Sequence, residues 1–301
     1  MKGVGHGESA SVSVDHYENF PVASWLCPPE LRPPITAIYR FARTADDIAD
    51  EGEQPAEVRV AELTAFRADL LAVAGGATPS PRWPDVFGPL AEAIARYGLP
   101  TALLADLLDA FSDDAMQTRY ADRAGLLDYC RRSANPIGRL LLHLYGIDDA
   151  ASLARSDAIC SALQLANFWQ DLGVDAGSGR IYVPAVDARR HGVTLDDLLG
   201  RRDSERIHGL VAELVAWTRA LMLTGAPLAH AIPGRAGWEL RFVVQSGLRI
   251  LHKIDRLGGA TLCTRPTVGA TDVPLLAWRA LTMRPLRAAA AAASAPRAER
   301  R

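Results

Sequence analysis

This chain has little to offer a nucleic acid. Its 33 basic residues are matched by 35 acids, for a formal net charge of −2 over 301 residues, so there is no basic field to hold a phosphate backbone. Cysteine is also scarce. Cys27, Cys130, Cys160 and Cys263 show no CxxC spacing, which fits buried thiols in a reducing cytoplasm rather than a disulfide framework. The seven histidines never fall at HxxxH or HExxH spacing, against a zinc site. No apolar run reaches the ~18 residues of a membrane span, and the polar N-terminus does not read as a signal peptide. No stretch alternates as a strand, and no strand–GxGxxG–helix unit is present for a nicotinamide.

What remains is helical period, punctuated by proline and glycine. Helices are expected near 34–51, 55–74, 85–97, 101–119, 123–145, 150–175, 204–230, 235–257 and 272–282. Pro33 and Pro34 suit a first turn, and Gly98-Leu99-Pro100 is a break. The economical reading is one all-α domain over 15–283. A Gly/Ser-rich, disordered segment over 1–14 precedes it, and a low-complexity basic tail over 284–301 follows. From Arg279 to Arg301 there are six arginines and one acid, which implies peripheral contact with anionic lipid at the inner face of the membrane. Trp217, Trp238 and Trp278 are expected in the core.

Two segments break the apolar pattern in the same way. In "FARTADDIAD", Asp46 and Asp50 are four residues apart, with Arg43 and Tyr39 on the same helical stripe. In "QLANFWQDLGVDAGSGRIYVP", Gln164, Asn167, Asp171 and Asp175 form a second stripe among core residue types. Such stripes are ordinarily solvated faces with i, i+4 ion pairs. Two stripes with one aspartate spacing, each flanked by apolar residues, favour a shared ligand. Hard oxygen donors of this kind suit Mg²⁺, which binds through one or two carboxylates plus substrate phosphates. Arg40, Arg43 and Arg180 are candidates to neutralise the same phosphates. The glycines of "GVDAGSGR" read as a hinge that brings Arg180 to them.

These segments, with "IYRFARTADDIADE" and "LLDYCRRSANPIGRLLL", resemble the squalene/phytoene synthase family in order from about Asp15 to Ala280. The resemblance implies a single-domain isoprenoid synthase fold, a helical bundle around a deep apolar cavity, acting on an isoprenoid diphosphate. By position it implies Asp46, Asp50, Asp171 and Asp175 as Mg²⁺ ligands, with Tyr39, Arg43, Gln164 and Asn167 as neighbours in the substrate cavity.

The chain departs from the family pattern in three places. Asn19-Phe20 stand where a diphosphate-contacting Ser-Phe is usual. Ala134-Asn135-Pro136-Ile137-Gly138 replaces Ala-Gly-Thr-Val-Gly, and Gly173-Val174-Asp175 replaces Gly-Glu-Asp. The departures resemble the hopanoid-pathway branch, which converts presqualene diphosphate to hydroxysqualene and depends on an upstream presqualene diphosphate synthase. The alternatives are a synthase condensing farnesyl diphosphate and a non-catalytic helical scaffold. Phe20, Tyr39 and Tyr129 are the expected cation-facing aromatics. Pro136 is expected to kink its helix, leaving Asn135 to hold the water that ends the reaction as an alcohol.

Overall fold

The computed structural model describes residues 27–50, 54–116 and 119–284. The expectations for 1–14, for Asn19 and Phe20, and for the tail beyond Arg284 lie outside them. Among the described residues there is no strand.

The first six helices are α1 (Arg32–Asp50), α2 (Ala56–Ala74), α3 (Pro84–Tyr97), α4 (Thr101–Met116), α5 (Arg123–Ser133) and α6 (Asn135–Leu144). Then come α7 (Ala150–Gln170), α8 (Leu172–Gly177), α9 (Ala185–Arg190) and α10 (Leu195–Leu199), and finally α11 (Glu205–Gly225), α12 (Leu228–Ala231), α13 (Gly234–Arg256) and α14 (Val273–Thr282). Local chemistry sets several ends. Pro33 and Pro34 sit in the first turn of α1, where missing N–H groups cost nothing. Gly98 closes α3 at φ 60°, a left-handed cap open to glycine. Asp122 and Asp149 accept the Gly125 and Ser152 amides to cap α5 and α7, each contributing about 1 kcal/mol.

One core cluster joins α1 to α4 and α6 around Phe41, Phe66 and Phe87. The rings of Phe66 and Phe87 stand 4.7 Å apart. A second cluster joins α5, α7, α8 and α11 around Trp169, whose indole N–H donates to Thr218 Oγ1 at 2.7 Å. The stretch Glu205–Ala231 has the length and composition of a span. Leu210, Val211, Leu214 and Val215 within it are fully buried in this core, so packing accounts for its apolar character.

Four expectations change. The helix expected over 123–145 breaks at Ala134 (φ −120°, ψ −46°), and Pro136 sits in the first turn of α6 rather than kinking a continuous rod. The helix expected over 150–175 breaks at Asp171 (φ −99°, ψ 11°), and α9 and α10 fill a stretch for which no helix is expected. Trp238 and Trp278 are 36% and 65% exposed, because α13 and α14 turn those faces outward; the Arg241 guanidinium covers the Trp238 ring at 4.1 Å. Cys27 and Cys130 are buried thiols, but Cys160 is half-buried and Cys263 exposed.

The loop after α13 is pressed onto α8. A Cβ on Gly173 would lie 2.2 Å from the Leu262 carbonyl oxygen, so only glycine permits this approach. Gln170 Nε2 donates to the Pro266 carbonyl at 2.7 Å, and Arg201 Nη2 to that of Leu262 at 3.2 Å. Gly173→Ala should therefore destabilise the protein by about 1–3 kcal/mol, read by chemical denaturation. Unchanged stability would mean that the loop is not held here.

Candidate active site

A cavity of about 580 Å³ opens between α1, α5, α6, α7 and α13. Its walls are apolar, with Ile35, Ile38, Phe111, Ile137 and Leu141 among them, while Tyr39, Arg43, Asp46, Tyr129, Gln164, Asn167, Asp171 and Arg265 supply polar groups. This is the form of a small-molecule site, an apolar pocket with a few convergent polar groups.

The two aspartate stripes meet here. Arg43 reaches Asp46 at 3.3 Å and Asp47 at 2.7 Å. Arg180, delivered by the turn after α8, pairs with Asp50 at 2.6 Å and also feels the charge of Asp175, while most of the segment read as a hinge is the helix α8 itself. Asp171 sits at the α7–α8 junction, where its carbonyl accepts the Val174 and Asp175 amides at 2.8 and 2.9 Å. That short turn carries Asp175 back toward Asp171 and Asp50, and all three carboxylates interact. Asp50 and Asp175 stand beside the cavity rather than in its lining.

Two side chains, Arg265 and Asp114, complete the site without a warning in the sequence, and a third, Tyr182, comes from the end of the second motif. Arg265 forks onto Asp171, with Nη2–Oδ2 at 3.1 Å, from a loop 94 residues away. Asp114 on α4 accepts the Tyr129 hydroxyl and lies within the field of Asp46 and Asp50. The Tyr182 ring stacks on Phe168 at 3.8 Å. Asp114 is one of two adjacent acids in "FSDDAM", with no partner at helical spacing to mark it.

Two expected site residues are not brought in. Arg40 is exposed on the outer face of α1 and is not among the cavity residues. It lies three residues from Arg43, but between two stripes rather than on the inner one. Asn135 is buried and absent from the lining. Its side-chain oxygen accepts the Ser161 hydroxyl at 2.9 Å, because the break at Ala134 turns it toward α7.

Acids outnumber cations here: Asp46, Asp50, Asp114, Asp171 and Asp175 face Arg43, Arg180 and Arg265. Burial and then the neighbouring Asp50 push Asp46 up to about 7, against the pull of Arg43. Burial raises Asp114 to about 7 against its hydrogen bond from Tyr129. Burial raises Asp175 to about 7 against Arg180. Asp46 keeps 40% of its side chain accessible, but that part faces the cavity rather than open solvent. Among the described residues no three acid, histidine or cysteine side chains converge as a preformed metal cage.

A carboxyl with a higher pKa folded than unfolded keeps a proton that the unfolded chain has released. Acid therefore favours the folded state between the two pKa values. In chelator, these three groups should make stability fall as pH rises from about 4 to about 7. Melting curves across that range should show the fall, and Asp46→Asn should flatten it. A profile unchanged by that substitution would contradict the assignment.

An all-helical bundle enclosing an apolar cavity, with facing aspartate pairs and arginines at its polar end, defines the class of isoprenoid synthases. A family model described as "Squalene/phytoene synthase" matches residues 14–279, and the chain belongs to that family. It is 35% identical over 240 residues to a hydroxysqualene synthase of Rhodopseudomonas palustris, covering 79% of this chain and 80% of the relative. It is also 35% identical over 180 residues to a presqualene diphosphate synthase of the same organism, covering 60% and 62%. Among solved structures, a squalene synthase, HpnC, from Alicyclobacillus acidocaldarius superposes with a TM-score of 0.74 at 37% identity, covering 81% of this chain and 90% of that one.

Proposed function

We propose that this enzyme converts presqualene diphosphate to hydroxysqualene, releasing diphosphate, in a Mg²⁺-dependent reaction of hopanoid biosynthesis. The observation that carries this reading is the convergence of the two aspartate stripes and Arg43, Arg180 and Arg265 at one end of an apolar cavity. The extended likeness to a hydroxysqualene synthase supports the particular reaction.

The residues fit Mg²⁺. Clustered carboxylates raised to about 7 are relieved by a cation, and Mg²⁺ needs only one or two carboxylates when phosphates supply the rest. Asp46, Asp50, Asp171 and Asp175 would hold it, and when bound it would neutralise the leaving diphosphate. Arg43, Arg180 and Arg265 offer forked donors to the same oxygens. Gln164 and Asn167 add neutral donors at the same end of the cavity. Tyr39 and Tyr129 line the cavity, where aromatic rings can stabilise developing positive charge, and Asp114 holds the Tyr129 hydroxyl in place. The apolar walls keep bulk water from the carbocation.

The substrate would be supplied by an enzyme that joins two farnesyl diphosphates. The setting proposed is the cytoplasm, with contact at the inner face of the membrane through the basic C-terminal tail. The likeness to a presqualene diphosphate synthase favours a second reading, condensation of farnesyl diphosphate by this chain itself. Parallel incubations with Mg²⁺ and either diphosphate separate the two. Turnover of presqualene diphosphate with little of farnesyl diphosphate is expected, and ready consumption of farnesyl diphosphate alone would overturn the proposal.

A further inference from the structure

We propose that the Ser133 hydroxyl, at the broken end of α5, positions the water that ends the reaction. This rests on the function proposed above and adds to it the residue that decides alcohol against alkene.

Ser133 lines the cavity one helical turn beyond Tyr129. Its Oγ is shielded from solvent and has no hydrogen-bond partner among the described residues. Buried hydroxyls are nearly always paired, so an unpaired one beside a cavity calls for a partner that arrives with the occupant. Rotation about its single χ1 is enough to aim it inward.

The backbone adds a second feature. α5 ends at Ser133, and Pro136 carries no N–H for the Arg132 carbonyl four residues back. That carbonyl therefore lacks its usual helical partner, whereas the Cys130 carbonyl accepts the Ala134 amide at 3.0 Å. The Arg132 carbonyl can accept a hydrogen bond from water. Arg131 and Arg132 pair with Asp128 and Asp113, and neither lines the cavity. Asn135, the other polar side chain at the break, is committed to Ser161.

The step balances without a co-reactant. The carbon–oxygen bond to diphosphate breaks and the carbon skeleton rearranges. The oxygen of the held water then bonds to the cationic carbon, and its proton passes to the released diphosphate. Nothing is oxidised or reduced, and Ser133 keeps its own proton.

The test is the share of alcohol in total product from presqualene diphosphate and Mg²⁺, a ratio into which overall rate does not enter. Ser133→Ala should lower the ratio of alcohol to proton-loss alkenes about five- to tenfold. Ser133→Thr, which restores a hydroxyl, should recover most of it. An unchanged ratio in Ser133→Ala, even with a lower melting temperature or rate, would overturn this inference and leave the proposed function standing. A wild-type enzyme that makes no alcohol would overturn the proposed function itself, and this inference with it.

Discussion

Asp46→Asn and Asp171→Asn should each lower diphosphate release by ~10²-fold or more, yet shift the resting stability in opposite directions. Asp46 is held up to about 7 by burial and by Asp50, with Arg43 only partly offsetting them. A neutral isostere removes that repulsion, so in chelator Asp46→Asn should melt at the same temperature as wild type or higher. Asp171 instead receives the Arg265 fork. An amide cannot accept two charge-assisted bonds, so the variant loses the bidentate pairing with Arg265, at a cost of about 1–3 kcal/mol. Mg²⁺ with inorganic diphosphate should raise the wild-type melting temperature by mass action, and neither variant should show the full rise. Scanning calorimetry with and without chelator checks both halves. A loss of several degrees in Asp46→Asn would instead mark a structural ion pair with Arg43.

The helical architecture was open to reading because the apolar period carries it. Most helices fall where that period and the proline and glycine breaks put them, and Gly98 ends α3 as expected. The shorter events were harder. Whether a helix continues or restarts at Ala134 and Asp171 depends on one residue's dihedrals, and tertiary packing sets them. The Asn135 reading failed for that reason: a continuous kinked helix and two abutting helices direct position 135 to different places. The inner stripe of Tyr39, Arg43 and Asp46 was legible because helical spacing brings its members together whatever the tertiary fold. Asp114 and Arg265 were not, since each reaches the site from an element whose own sequence neighbourhood says nothing about it. Arg40 shows the converse hazard, a cation close in sequence to the stripe but rotated off it. The close approach at Gly173 has a sequence trace, a glycine inside the second motif, but the carbonyl that requires it lies on the loop after α13.

The second large effect concerns the product. A reductive ending would give squalene and consume a hydride donor, whereas capture by water gives a tertiary alcohol with no donor. In the proposed account the water stands beside Ser133, which lines the cavity and whose hydroxyl has no hydrogen-bond partner among the described residues. Without NADPH, alcohol should therefore exceed hydrocarbon about tenfold or more, in keeping with ~1.4 kcal/mol of preference for capture over proton loss. The most direct measurement is mass spectrometry of the product formed from presqualene diphosphate and Mg²⁺ in ¹⁸O-labelled water without NADPH. The expected result is hydroxysqualene with ¹⁸O in its hydroxyl group. Squalene as the main product, formed only when NADPH is supplied, would contradict the account.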